Sequence, residues 1–157
     1  MRRKTNFFYL LVFLSFLTCV TAAQAAEGII SIESPRGVEE TTDRLEKVLE
    51  EKGMTIFTRI DHDKNAEKAG LELRPTKLIV FGNPKVGTPF MRCNQEAALD
   101  LPQKALVWRD GAGQVWLSYN DPNFIANRYE MAGEGCEEIV SKIEKALRNI
   151  AYDTIAP

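Results

Sequence analysis

The sequence predicts an α+β fold, with a largely antiparallel sheet covered by helices and the element order β-α-β-β-α-β-β-α. Two long segments that begin near Val38 and Cys136 repeat apolar residues every three to four positions, which is typical of amphipathic helices. Shorter apolar segments are separated by glycine, proline and asparagine, which is typical of strands. Two of these, 105–108 and 115–119, flank a glycine-bearing turn and predict a β-hairpin.

The first half of the chain alternates between the two patterns. Residues 28–33 form a short apolar run that predicts a strand, and a helix is expected from Val38 to a stop at Gly53. Residues 54–60 alternate as a second strand, and residues 65–70 are expected to form a turn of helix or a loop. Residues 77–81 are continuously apolar apart from the first, so we expect a central strand that is buried on both faces.

The second half contains two further helical segments besides the hairpin. Residues 88–99 are compatible with a moderately amphipathic helix, and Asp121 with Pro122 is typical of a helix start. The last helix is expected over about residues 136–149, where apolar residues recur at helical spacing.

The N-terminal residues 1–25 have the pattern of a signal peptide. Residues 2–4 are basic, residues 7–20 form an apolar run, and residues 23–25 match the small-x-small pattern before a cleavage site. The run is shorter than the roughly 20 residues that cross a bilayer, although an uncleaved anchor or a lipoprotein modified at Cys19 are alternatives. We predict an exported protein, periplasmic or secreted, without a stable membrane anchor after cleavage.

Residues 27–157 are predicted to form a single domain, because about 131 residues can bury one core. Three of the 20 basic residues lie in the N-terminal segment, so this part has 17 basic and 22 acidic residues, a net charge of about −5. A surface of that charge repels phosphate backbones, and nucleic acid is therefore not an expected partner. The two cysteines that remain, Cys93 and Cys136, form either one disulfide or two separate thiols, and both alternatives stay open.

Four blocks of the sequence resemble the domain of unknown function 302 family. They are Arg59-Ile60-Asp61-His62 with 66–76, Leu78-Ile79-Val80-Phe81-Gly82-Asn83-Pro84 with 87–89, Leu99-Asp100-Leu101-Pro102, and 115–122. The resemblance implies a curved antiparallel sheet backed by helices, as in one copy of the TATA-binding protein fold, but it does not imply DNA binding. Gly37 stands where the family tends to place a helix-capping serine, and the two cysteines lie outside the family pattern.

The single histidine, His62, lies between Asp61 and Asp63 at a predicted strand end. Imidazole titrates near neutral pH, so His62 is a candidate general acid or base with Asp61 as the orienting carboxylate. It is equally a candidate binding residue or part of a structural turn. The spacing of a metal site is absent, a non-covalent haem finds little support, and no cofactor can be assigned from the sequence.

We predict a binding site at the strand ends, formed by Asp61, His62 and Asn83 with Tyr119 nearby. The segment around Asn83 has an anion-friendly helix start but lacks the spacing of a phosphate loop. The predicted function is a module that binds a small molecule or a protein partner, with a homodimer as one option. The alternative is a small enzyme that uses His62 and Asp61.

Overall fold

The computed structural model describes residues 27–157, and the predicted signal peptide lies outside the described residues. The elements in this part of the chain are β1 (Ile29–Ser34), α1 (Val38–Glu51), β2 (Thr55–Asp61), α2 (His62–Lys68), β3 (Thr76–Gly82), α3 (Pro84–Cys93), a 3₁₀ helix (Gln95–Leu99), β4 (Gln103–Arg109), β5 (Val115–Asn120), α4 (Pro122–Arg128) and α5 (Glu134–Ile155).

The strands form one antiparallel sheet in the order β1-β5-β4-β3-β2. The predicted α+β class is therefore confirmed. β1 and β2 are the edge strands, and β4 lies at the centre. Within residues 27–157, no helix is both long enough and apolar enough to cross a bilayer.

The core lies between one face of the sheet and the helices. Ile79 and Phe81 of β3 are buried there with Leu45 and Leu49 of α1 and Leu147 of α5. The expectation that β3 is buried on both faces is wrong, because its residues alternate between buried and partly exposed along the strand. Helices cover one side of β3, and its apolar side chains on the other side remain partly exposed.

The helix expected over residues 88–99 is two elements. α3 begins earlier because Oδ1 of Asn83 accepts a hydrogen bond from the backbone N–H of Lys85 at 2.9 Å, and Pro84 occupies the first helical position. α3 ends at Cys93 because Asn94 is extended, and its own Oδ1 caps the 3₁₀ helix through the N–H of Glu96 at 2.9 Å.

β2 contains one extra residue relative to its neighbour. Ile56 pairs with Phe81 and Thr58 pairs with Val80, so that Phe57 is the bulged residue. The Phe57 side chain is 54% exposed.

Candidate functional site

The structure does not bring the four predicted site residues together. Asp61 pairs with Lys77 at the beginning of β3, whereas Asn83 follows the end of β3. The predicted cleft that combines Asp61, His62 and Asn83 is wrong, because β2 and β3 are antiparallel and six residues of strand separate the two positions by roughly 20 Å. Tyr119 lies in β5 on the core side and is only 7% exposed, and this burial raises the pKa of its hydroxyl.

Asp61 belongs to an ion cluster rather than to a catalytic pair. Its Oδ1 lies 3.2 Å from Nε of Arg59 and 3.1 Å from Nζ of Lys77, and its Oδ2 lies 3.0 Å from Nζ of Lys64. Partial burial would by itself raise the pKa of Asp61, but hydrogen bonds from Lys64, Lys77 and Arg59 outweigh it and hold that pKa well below its ordinary value. The carboxylate is therefore ionised and contacts three cationic side chains.

Lys77 is the buried centre of this cluster, with 2% of its surface exposed. Its Nζ also lies 3.1 Å from Oε2 of Glu39 on α1 and 4.0 Å from Oδ1 of Asp63. Burial acts to lower the pKa of Lys77, but the bonds to Glu39 and Asp61 raise it above its ordinary value. In turn, the bond from Lys77 lowers the pKa of Glu39. The cluster fastens β2 and β3 to α1.

His62 is the first residue of α2 and is partly buried. Within residues 27–157, the side-chain partners of Asp61 are Arg59, Lys64 and Lys77, and it makes no hydrogen bond to the imidazole of His62. Among residues 27–157, no group of three or more histidine, cysteine, aspartate and glutamate side chains is arranged to hold a metal ion.

Asn83 instead borders an apolar cavity of about 300 Å³ at the opposite end of β3. We call it the apolar cavity. Its walls come from the bulge in β2, the end of β3, the start of β4, α3 with the 3₁₀ helix, and α5; they include Phe57, Phe81, Met91, Leu101, Ile143 and Leu147. Within the described part of the chain, none of the lining residues is charged.

Asn83 shapes this cavity without offering its own polar atoms. Its Nδ2 donates to the carbonyl oxygen of Gly53 at 3.1 Å, while its Oδ1 caps α3. The same residue therefore ties the turn before β2 to the start of α3. The cap accounts for the helix start that the sequence indicates near Asn83. The partner of its Nδ2 is Gly53, and Asn83 does not lie beside Asp61 and His62 as expected.

Gln103 is a buried polar residue of the cavity that was not among the predicted site residues. It lines the cavity from the first position of β4 and is 9% exposed. Both side-chain polar atoms, Oε1 and Nε2, are buried and have no hydrogen-bond partner within residues 27–157. The pattern could have revealed it, because Gln103 shares the inward phase of β4 with Ala105 and Val107.

Cys93 and Cys136 are joined by a disulfide, with a Cα–Cα distance of 5.8 Å. Of the two alternatives that the sequence leaves open, the structure contains the bonded one. Cys93 is the last residue of α3, and Cys136 lies in the first turn of α5. The bond therefore links the two helices that wall the apolar cavity.

Residues 30–150 of this chain match the family model described as domain of unknown function DUF302. The chain belongs to this family. The fold of this DUF302 domain is shared with the uncharacterized conserved DUF302 protein from Bacillus stearothermophilus, with a TM-score of 0.72, 21% identity, and coverage of 82% of this chain and 99% of that one.

The DUF302 domain is also similar to part of two longer proteins. It is 46% identical over 104 residues to proteins named fluoride-specific ion channel FluC 1 from Brucella suis biovar 1 (strain 1330) and Brucella abortus biovar 1 (strain 9-941). The match covers 66% of this chain, 41% of the first protein and 38% of the second. The domain thus spans about two-fifths of the length of these relatives.

Proposed function

We propose that this DUF302 domain binds a small, largely apolar molecule in the apolar cavity. The observation that carries the proposal is the cavity itself: about 300 Å³ of space with apolar walls at the helix-covered end of the sheet. Ligand sites in proteins are commonly concave, mostly apolar and about 300–1,000 Å³ in volume, with few polar groups to orient the ligand. The apolar cavity has each of these properties.

The walls of the cavity are held in place before any ligand arrives. The Asn83 cap fixes the start of α3, and the disulfide of Cys93 with Cys136 fixes its end to α5. A site whose walls are already ordered loses less conformational freedom on binding, so more of the contact energy remains as affinity. These contacts support a binding role for this end of the domain.

The enzyme alternative has weaker support. It needs His62 as acid or base and Asp61 as its orienting carboxylate, but Asp61 is engaged by Arg59, Lys64 and Lys77. The apolar cavity also lies at the other end of β3 from His62. Binding without chemistry is therefore the function that we prefer.

Export from the cytoplasm is part of the proposal. The basic and apolar pattern of residues 1–25 supports it, and the disulfide supports an oxidising compartment such as a periplasm or the extracellular space. We further propose that nucleic acid is not a partner, on the basis of the net charge of about −5 after cleavage.

Gly87 provides a test of the cavity. It lies in α3, and a Cβ atom added there would be 4.0 Å from Cδ1 of Leu101 on the cavity wall. Gly87→Leu should fill the space, whereas Gly87→Ala should leave most of it open, and both changes favour the helix. We expect wild type and Gly87→Ala to bind butylbenzene, measured by ligand-observed NMR, and Gly87→Leu to lose this binding while keeping its circular dichroism spectrum.

Two outcomes of this experiment would contradict the proposal. One is equal binding of butylbenzene to wild type and Gly87→Leu, and the other is no binding to any of the three proteins. Native mass spectrometry of protein purified from its own compartment provides a second readout, because a retained small molecule should be present in wild type and lost in Gly87→Leu.

A second candidate function is an accessory role beside a membrane channel. It is favoured by the 46% identity with a segment of the Brucella proteins named as fluoride-specific ion channels. Deleting the gene should then increase growth inhibition by fluoride in its host, and the wild-type gene should restore growth. Unchanged fluoride sensitivity would argue against this role without affecting the cavity.

A further inference from the structure

We infer that the ligand of the apolar cavity is an uncharged molecule that presents a hydrogen-bond donor and an acceptor side by side, as a carboxamide does, to the side chain of Gln103. This inference rests on the proposed function and specifies the chemical class of the ligand. It is carried by the unpaired amide of Gln103, by the absence of charge in the cavity wall of the described domain, and by the occupied amides at the start of α3.

The Gln103 side chain has one acceptor and two donor hydrogens. Both of its polar atoms are buried within the described domain without a hydrogen-bond partner, although the residue lines a cavity. Buried amides that lack partners are rare in native proteins and call for an explanation. Neither atom is open to the cavity in the present position of the side chain, so the flexible Gln103 side chain has to rotate and turn its amide into the cavity. A ligand amide in the same plane then pairs with both atoms at once, and the apolar walls shield these bonds from water.

The walls exclude an anionic head group. No lysine, arginine or histidine lines the cavity among residues 27–157, so a carboxylate or phosphate would be desolvated without a counter-charge. The nearby Lys104 is directed elsewhere, with its Nζ bound to the carbonyl oxygens of Asp100 and Pro102, each at 3.0 Å.

The start of α3 does not replace the missing cation. The N–H of Lys85 donates to Oδ1 of Asn83, and the N–H groups of Val86 and Gly87 donate to its carbonyl oxygen at 2.9 Å. Pro84 has no N–H to offer. The donors that commonly bind anions at a helix start are therefore already in use.

The remaining walls define the body of the ligand. Phe57 and Phe81 provide aromatic surface, and Met54 and Met91 provide thioethers that adapt to irregular shapes. A ring with a short alkyl chain matches this environment. The ligand class is thus a neutral amide, or a group of the same donor and acceptor pattern, on an apolar body.

Three probes of matched shape test the head group: 4-butylbenzamide, 4-butylbenzoate and butylbenzene, titrated at neutral pH into the disulfide-bonded protein. With wild type, we expect the amide to bind about tenfold more tightly than either of the others, as expected for two shielded hydrogen bonds. In Gln103→Leu, the affinity for 4-butylbenzamide should fall to the affinity for butylbenzene. In the control Gln95→Leu, which changes an exposed glutamine, all three affinities should match wild type.

The outcomes separate this inference from the proposed function. Equal affinity of wild type for butylbenzene and the amide, or an unchanged preference for the amide in Gln103→Leu, overturns the role of Gln103 and leaves the cavity as a binding site. Tighter binding of the benzoate overturns the neutral head group alone. Failure of all three probes to bind wild type overturns the proposed function and this inference with it.

Discussion

Lys77 and Asp61 face each other across the β2–β3 pair, and the Nζ atom of Lys77 lies 3.1 Å from Oδ1 of Asp61. The same Nζ lies 3.1 Å from Oε2 of Glu39, so that one buried ammonium group joins two strands to α1. This end of the sheet is stabilised by charge, whereas the opposite end borders the apolar cavity. We therefore expect a change of pH to affect the charged end, and a substitution in the cavity wall to affect the other end.

Acid should destabilise the domain through this cluster. The pKa values of Asp61 and Glu39 are lowered from 3.8 and 4.5, so both groups contribute stability that is complete above those values and lost as pH falls through the folded-state pKa. Glu39 contributes less because its side chain is 60% exposed. Urea unfolding from pH 7 to pH 2 should show a decline that begins below about pH 4, and Asp61→Asn should flatten it. An equally steep decline in that variant would contradict the assignment.

Replacing Lys77 by methionine should lower the free energy of unfolding at pH 7 by about 2 kcal/mol, because Asp61 and Glu39 lose their shared buried cation. The loss stays below that of a fully enclosed pair, since these carboxylates reach solvent. Because the pKa of Lys77 is raised, its contribution is complete below 10.5 and disappears as pH rises through the folded-state value. Urea unfolding of Lys77→Met beside Lys47→Met, which changes an exposed lysine, measures the difference. Equal losses would refute the role of Lys77.

Removing the disulfide should cost stability without abolishing the fold. The bond closes a loop with a sequence separation of 43 residues, for which the chain-entropy model gives about 4 kcal/mol. The double variant Cys93→Ser with Cys136→Ser should unfold at a lower urea concentration, and hydrogen exchange should show the largest loss of protection in α3. Uniform loss of protection across the sheet would indicate that the bond does not act locally.

Gln103→Leu should stabilise the ligand-free domain by about 1 kcal/mol, because the change removes an unpaired buried amide and keeps a similar volume. Gln95→Leu, at an exposed position, should shift stability by less than about 0.5 kcal/mol. Thermal unfolding of both variants in the absence of ligand checks this. A loss of stability in Gln103→Leu would show that the amide has a structural partner in solution.

The mature N-terminus should be Ala26 or Glu27, since residues 23–25 have the pattern that precedes signal cleavage. Intact-mass and N-terminal sequencing of protein isolated from its own cell envelope and medium measure this. Recovery of an intact Met1 terminus from membranes would favour the uncleaved anchor instead.

The sequence was sufficient for the class of fold because the apolar patterns of its elements are regular. The alternation in residues 54–60 and the helical spacing after Val38 predict strands and helices within two residues of the observed bounds. The helix bounds that the pattern did not predict depend on asparagine side chains, whose hydrogen bonds to the backbone compete with a continuous helix. The Asn83 cap starts α3 earlier than the pattern indicates. Asn94 caps the 3₁₀ helix and so divides a segment whose composition alone suits one helix.

The binding site was less accessible to sequence reasoning because it depends on strand direction. Asp61 and Asn83 both follow apolar strands, and in a parallel pair their side chains would share one edge. The antiparallel pairing of β2 with β3 separates them instead. The unusual polarity of Gln103 within an inward-facing series was visible in the sequence, but its lack of a partner is a property of the packed structure.

The bulge at Phe57 also affects how the domain meets other polypeptides. An edge strand with regular, flat pairing offers its free N–H and C=O groups to any passing strand, and a bulge interrupts that row. β2 is an edge strand with a bulge. The bulged residue, Phe57, borders the apolar cavity. Strand addition is therefore disfavoured at this edge, and β1 is left as the more regular edge for backbone pairing.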